Sequence, residues 1–488
     1  MPVTAAPTEL IPDTGVLIGA SRTSATSGGV HRHVYAANGQ STAEVPLGGA
    51  AEMDAAVRAA GAASDGWRNT PGNIRRDLLL RLAELVEQHA TELIGLQTLE
   101  NGCPRQFASK MPELAVDHLR YNAGWADKIG GEVVPTWPVR ALDYTLDEPY
   151  GVVAVIIPWN GPLVSVAQML APALAAGNTI VLKPSELAPF TALRLGELAL
   201  TAGFPPGVVN VVPGAAAGGA ALVRHPGVDK VHFTGGGPTA RKILADAAER
   251  LVPVGLELGG KSAHMIFGDA DVRMAARMAM SGVIALSGQG CANGTRVLAH
   301  SSVYDEVVRT LTARLARVPV GDPADERTLM GPVVSAGACE RILGVVDRAR
   351  DEGQGRLVSG GERLGGDLGD GYFIAPTVFA DVDPASELAQ EEIFGPVLAC
   401  TPFDTEQEAL QLANGTRYGL GAYVHTTDLR TAHRVSRAVA AGSVWVNGVP
   451  GVLPSTPFGG VRQSGWGRIG GEAGVREFLR PKNVWIAT

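Results

Sequence analysis

GVVAVIIPWNGPLVSVAQMLAPALAAGNTIVL, residues 151–182, carries no charged side chain over its whole length. A hydropathy window of about 20 residues would flag it as a membrane span. Pro158, Asn160, Pro162, Gln168, Pro172 and Asn178 interrupt the run with ring constraints and amides, and a buried strand, a polar turn and a buried helix fit them better. Outward from there the pattern repeats. TIVLKPS, APFTALRLGELALTAG and VVNVVPG alternate short β runs with a helix, and KVHFTGGGPTARKILADAA adds a strand, a glycine turn and another helix. Uninterrupted apolar strands with helices between them imply a parallel sheet covered on both faces, and so an α/β, Rossmann-like doubly wound fold.

A second alternating region follows residue 257, with SAHMIF, VLAHSSV, FIAPTVFADV and SVWVNG as its strands, and reads as a separate α/β lobe. Residues 1–50 read as an arm with a short strand or two. AEMDAAVRAAGAASDGW and IRRDLLLRLAELVEQHATELIGLQTLENG space their apolar residues three and four apart, as surface helices do. DKIGGEVVPTWPVRALDYTLD, residues 127–147, and the terminal RPKNVWIAT read as strands outside both lobes. The expected division is a nucleotide-binding domain (1–126 and 148–256), a catalytic domain (257–462), and a small β element (127–147 and 463–488). Neither an internal repeat nor a long linker is visible.

A formal charge of −8 and a pI near 5.7 leave no basic stripe to neutralise a phosphate backbone, so nucleic acid is excluded as a partner. Four cysteines, at 103, 291, 339 and 400, are too scattered for a disulfide framework or a zinc site. With no cationic start and no continuous apolar h-region, MPVTAAPTELIPDTGVLIGASR is not a signal peptide, and the expected compartment is the cytoplasm.

Cys291 lies in SGQGCANGTR, where flanking glycines let a ligand approach the backbone. As a lone cysteine it reads first as a small buried hydrophobe. Glu257 is the only acid in LVPVGLELGG, residues 251–260. It reads equally as a desolvated general base or as a strand-end acid pairing with Lys261 or Arg250. Asn160, between two prolines, could donate its amide to an oxyanion, or simply make a turn. Lys183 and Glu186 sit past a strand end where ligand hydroxyls bind, with Ser185 as a helix N-cap the competing explanation. Gly235, Gly236 and Gly237 do not match a GxGxxG signature.

Taken together these segments resemble the NAD(P)-dependent aldehyde dehydrogenase superfamily, from about residue 30 to residue 488. PWN at 158–160, KPSE at 183–186, FTGG at 233–236, ELGGKS at 257–262, GQGC at 288–291, EEIFGP at 391–396 and PFGG at 457–460 occur in that family's order. The 34-position interval from Glu257 to Cys291 also resembles the family's.

The resemblance implies oxidation of a small-molecule aldehyde to the acid. Cys291 would be the thiolate nucleophile, Asn160 and the Cys291 N–H the oxyanion hole, and Glu257 the base that activates the hydrolytic water. Ile157, Pro158, Trp159, Lys183, Ser185, Glu186, Gly214, Phe233, Thr234, Gly235, Gly236, Leu258, Glu392 and Phe394 would line the cofactor, with Lys183 and Glu186 on the adenosine ribose and Glu392 on the nicotinamide ribose. Glu186 would favour NAD over NADP, because a carboxylate accepts from ribose hydroxyls and repels a 2′-phosphate. Gly161, Ser165, Gln168, Gly290, Val452 and Phe458 would line the substrate tunnel. The first five stand where bulkier residues are frequent in the family, which implies a wide tunnel for a bulky or medium-chain hydrophobic aldehyde. A homodimer or homotetramer, no metal and no membrane span complete the expectation. A CoA-acylating enzyme would have less need of Glu257, a silent structural relative would not need Cys291, Glu257 and Asn160, and a thiol esterase would leave KPSE and EEIFGP without a purpose.

Overall fold

The computed structural model describes residues 3–448 and 452–487. Val152–Ile156 is buried at every position, as the charge-free run requires, and so is Thr179–Lys183. These strands centre an eight-stranded sheet ordered Gly465–Trp466, Val254–Leu258, Lys230–Gly235, Val152–Ile156, Thr179–Lys183, Val209–Val211, Val16–Ile18, Ser21–Thr23. The five strands from Val254–Leu258 to Val209–Val211 run parallel, and the outer ones pair antiparallel. Helices Pro162–Ala175, Phe190–Ala202, Ala216–Arg224 and Gly237–Ala248 connect and cover them.

A second sheet of seven strands is ordered Arg356–Ser359, Thr377–Ala380, Val397–Phe403, Gly294–His300, Ser262–Ile266, Gly421–His425, Ser443–Val446. It is parallel except at its Arg356–Ser359 edge. The chain crosses from the first sheet to the second over only Gly259, Gly260 and Lys261. Glu257 therefore sits at the carboxyl end of a strand in one sheet, and Cys291 lies just before Gly294–His300 in the other. Carboxyl ends of parallel strands are where α/β sheets open a crevice.

Ala141–Pro149 pairs along its whole length with Leu479–Ala487, and Val133–Val134 joins them in a three-stranded sheet apart from the other two. No helix of the described residues is long and apolar enough to cross a membrane.

Two sequence expectations need correction. The first 50 residues hold four strands rather than one or two: Val16–Ile18 and Ser21–Thr23 edge the large sheet, and Val30–Tyr35 pairs with Gln40–Pro46. The 74–102 stretch is not a run of surface helix. It breaks at His89 into Gly72–Gln88 and Ala90–Asn101, and the second piece is buried from Gly95 to Asn101, polar side chains included. Glu100 and Asn101 find partners there, while Gln97 Oε1 and Thr98 Oγ1 meet none among the described residues. The Glu100 carboxylate accepts from the N–H groups of Phe190 (2.7 Å) and Thr191 (3.2 Å) and from the Thr191 hydroxyl, capping the helix Phe190–Ala202 from a distant element. Burial nevertheless pushes this carboxyl up to about 7.

Candidate active site

The loop that carries Cys291 is strained and pinned. Leu286 and Ser287 take left-handed backbone angles (φ 50° and 55°), and Gly288 follows at φ 76°, a conformation that persists only where neighbours over-determine it. The Ser287 hydroxyl donates to the Gly331 carbonyl (2.7 Å), and the Gln289 side chain accepts from the Val334 N–H (3.0 Å). A Cβ on Gly288 would collide with the Gly395 carbonyl, so the GQGC glycine lets this loop close against the FGP turn.

Cys291, Glu257 and Asn160 converge on a cavity of about 500 Å³. The Cys291 thiol is pushed up to about 12, first by burial and then by the negative charges of Glu392 and Glu257, while the N–H groups of Ala292 and Cys291 oppose the rise. Glu257 is buried, and neither of its oxygens meets a hydrogen-bond partner among the described residues. Its carboxyl is raised well above the usual range by burial; Arg468 opposes this and Glu477 adds to it. The two pairings open from sequence fail for physical reasons. Lys261 is buried with no hydrogen bond to its Nζ, and Arg250 spends its guanidinium on the carbonyls of His225, Pro226 and Val228.

The Asn160 amide donates to the Gln289 carbonyl (2.9 Å), two residues before Cys291, which ties the two loops together. Behind it the Asn101 amide donates to the Trp159 and Asn160 carbonyls (3.1 and 3.3 Å). Sequence reading missed Asn101. Its only signal was a polar residue at the end of a helix, just before Gly102.

Gly161, Ser165, Gln168, Gly290, Val452 and Phe458 all line this cavity, together with Val164, Met169 and Ile469. Its remaining wall comes from Phe107, Lys110, Met111, Glu113, Leu114 and Asp117, around the start of the helix Met111–Ala123. These residues were also missed, because that segment alone reads as an ordinary amphipathic helix.

A larger cavity of about 640 Å³ adjoins the first, and Pro158 and Thr234 line both. Ile157, Trp159, Lys183, Ser185, Glu186, Phe233 and Gly235, named from the sequence for the cofactor, line it. Ala215–Ala217, Gly219, Ala220, Arg224, Thr239, Lys242 and Asp246 line it without having been foreseen. The run GAAAGGAAL after Val209–Val211 repeats the strand–glycine–helix pattern and could have found the small ones. Ser185 caps no helix: its hydroxyl accepts from Leu187 N–H (3.2 Å) in a turn, and the next helix starts at Phe190. Lys183 is buried, its Nζ donates to the Pro184 carbonyl (3.1 Å), and burial lowers it to about 8 against the pull of Glu186.

The other expected cofactor residues stand behind or beside this wall. A Cβ on Gly214 would crowd Met53 and the Gly48 carbonyl, Gly236 precedes the helix Gly237–Ala248, and Leu258 is buried at its strand end. Glu392 accepts from the Gly260 N–H (3.1 Å) and is raised to about 7 by burial. Phe394, at φ 53°, meets Trp159 of the larger cavity's wall edge-on with centroids 5.5 Å apart.

The larger cavity fits a dinucleotide. Helices Ala216–Arg224 and Gly237–Ala248 both point N-termini without side-chain caps at its edge, leaving main-chain N–H groups for phosphate. A Cβ on Gly235 would meet the Phe233 ring at 2.5 Å, so a side chain there would have to displace that ring. No group of three or more potential metal ligands occurs among the described residues.

Residues 23–484 match the aldehyde dehydrogenase family. A betaine aldehyde dehydrogenase of Cereibacter sphaeroides is 41% identical over 454 residues, covering 93% of each chain. A phenylacetaldehyde dehydrogenase of Pseudomonas fluorescens is 41% identical over 462 residues, covering 92% of this chain and 91% of that one. The NAD+ complex of a Bacillus cereus aldehyde dehydrogenase superposes with a TM-score of 0.96 at 39% identity, covering 100% of both chains. Sequence, fold and the meeting of the two cavities agree: the chain belongs to the aldehyde dehydrogenase family and is an NAD(P)-dependent aldehyde oxidoreductase.

Proposed function

We propose that this enzyme oxidises a bulky or medium-chain hydrophobic aldehyde to its carboxylic acid with NAD, using Cys291 as nucleophile, Glu257 as base and Asn160 as oxyanion donor. The observation that carries the reading is the convergence of these three side chains on one cavity that meets a dinucleotide-sized one at Pro158 and Thr234.

Cys291 Sγ attacks the aldehyde carbon and forms a C–S bond, giving a tetrahedral thiohemiacetal whose oxygen accepts from Asn160 and from the Cys291 N–H. Bound NAD supplies the acceptor for the hydride that leaves this carbon. The resulting thioester is attacked by water, whose proton Glu257 takes, and the acid and the Cys291 thiol are released. A thiol raised to about 12 is mostly protonated near neutral pH. Its ionisation therefore needs a base, and Glu257 lines the same cavity.

Within the 640 Å³ cavity, Lys183 and Glu186 would hold the adenosine ribose, and Glu392 and Phe394 would flank the nicotinamide end. Domain roles follow the two sheets: the 1–126 and 148–256 segments bind the cofactor, and 257–462 supplies Cys291. The sheet of 127–147 and the C-terminal strand leaves Val133, Trp137, Val139, Leu142, Leu146, Trp485 and Ile486 exposed, which favours a homodimer or homotetramer built there. The two relatives named for different aldehydes are equally identical to this chain, so the substrate reading rests on the small side chains of the tunnel.

The test is NADH formation across aliphatic, aromatic and quaternary-ammonium aldehydes, with Cys291→Ala as control. Expected are the highest kcat/KM on a bulky or medium-chain apolar aldehyde and background rates in the variant. Acetaldehyde or betaine aldehyde as best substrate would overturn the substrate reading, and turnover by Cys291→Ala the mechanism.

A further inference from the structure

Ser262–Ile266, Gly421–His425 and Ser443–Val446 are parallel neighbours, with His264 opposite Tyr423 and Tyr423 opposite Trp445. Partners in register share a face, so their rings meet. His264 stacks on Tyr423 at 4.2 Å and 20°, and Tyr423 on Trp445 at 5.1 Å and 26°. His425, two residues beyond Tyr423 and on the same face, stacks on His264 at 5.2 Å, and their Nδ1 and Nε2 atoms lie 2.9 Å apart. His264, Tyr423 and His425 are each no more than 2% exposed. Nothing in the chemistry assigned to Cys291, Glu257 and Asn160 uses this row of rings.

The row ends on the nucleophile's loop. The Tyr423 hydroxyl donates to the Ala292 carbonyl at 2.7 Å. Gly294, on the same stretch of chain, leaves room for the contact, since a Cβ there would run into the His264 ring and lie 3.0 Å from the Tyr423 ring. Burial holds the phenol protonated, a standing donor, and keeps both imidazoles neutral, with His425 lowered to about 4. Before Cys291 the loop is held by Ser287 and Gln289 against two left-handed residues. After Cys291 the Asn293 amide reaches the Gly282 and Ala285 carbonyls (3.3 and 3.4 Å), Gly294 enters the second sheet opposite Ser262, and Tyr423 ties the Ala292 carbonyl between them to that sheet.

We infer that Tyr423, braced by His264, His425 and Trp445, is a positioning residue that fixes the main chain after Cys291 and so aims its thiol and N–H at the substrate carbonyl. The inference rests on Cys291 being the nucleophile. Tyr423→Phe keeps the ring stack and removes only the O–H. It should lower kcat about 5- to 10-fold, the worth of one hydrogen bond, with KM for aldehyde and Kd for NAD within about twofold of wild type. Alkylation of Cys291 by iodoacetamide, followed by mass spectrometry in the NAD-free enzyme, should slow by a similar factor, which loss of general stability would not produce.

His264→Leu, which leaves the hydroxyl but removes the ring that braces it, should slow alkylation in the same direction. Wild-type alkylation and kcat in Tyr423→Phe overturn the assignment; should that variant not fold, wild-type alkylation in His264→Leu does. Turnover by Cys291→Ala would instead mean that the nucleophile itself was misassigned, whereas an inactive Cys291→Ala beside an unaffected Tyr423→Phe sinks only the role of Tyr423.

Discussion

The two cavities that meet at Pro158 and Thr234 are built on opposite plans. The larger is lined entirely from one continuous stretch, residues 156–246, where each strand of the first sheet turns into the next helix. The smaller draws on segments scattered from Phe107 to Ile469, from both large sheets and the loops beyond them. One is a wall laid down by a repeated local pattern, in which glycines and alanines alternate with side chains such as Lys183, Glu186 and Phe233. The other is a set of side chains that only packing brings together. A cofactor common to many enzymes can be held by the first kind of wall, while an individual aldehyde must be read by the second.

Variants on the tunnel side should therefore alter chemistry and selectivity while cofactor binding stays intact. The largest effect is expected of Glu257→Gln, with kcat down about 10²- to 10⁴-fold as for loss of a general base. A first burst of NADH surviving in this variant, read by rapid-mixing absorbance, would confine Glu257 to the hydrolytic step, and its loss would show that Glu257 also takes the Cys291 proton. The same residue sets a pH dependence. A base works only when deprotonated, and burial raises this carboxyl, so as pH is lowered wild-type kcat should begin to fall above the usual carboxylate range. Glu257→Gln should lack that limb.

Next comes selectivity. Gly161 faces the tunnel, and a Cβ there would have nothing closer than the Ser165 hydroxyl at 3.9 Å. Gly161→Phe should cut kcat/KM for the bulkiest accepted aldehyde about 10- to 100-fold and spare a short one, with the Kd for NAD unchanged by fluorescence titration. Equal losses on both aldehydes would break the idea that small tunnel residues set the substrate. The smallest effect belongs to the other cavity. Glu186→Ala should narrow the NAD-over-NADP preference about tenfold in kcat/KM through lost repulsion of the 2′-phosphate, leaving the order of aldehydes as it was. Arg224, which pairs with Asp246 at 2.7 Å on that wall, and Lys242 bring positive charge to the same cavity.

The same contrast governs what could be read in advance. Ile157, Trp159, Lys183, Glu186, Phe233 and Gly235 follow from strand–turn–helix punctuation together with a family resemblance, because the features that place them lie within a few residues of each in the chain. Asn101 and Glu100 could not be read that way. They belong to a helix whose period suggests an exposed face, and only the fold buries it and turns one side chain onto the Asn160 loop and the other onto the start of Phe190–Ala202. Lys110, Glu113 and Asp117 were hidden for the converse reason: on an amphipathic helix they look like solvent decoration until the helix is laid along the tunnel.

By itself the sequence determined the α/β class, the run of parallel strands around 151–182 and the identity of the residues that can do chemistry, since hydrophobic period and turn chemistry are local properties of the chain. Only the tertiary structure decided that Glu257 lacks the partners its neighbours suggested, that Cys291 sits on a strained loop pinned from both sides, and that a tyrosine more than a hundred residues away holds that loop. Those facts depend on which strands lie side by side, and register between distant strands is fixed by the packing of the whole core.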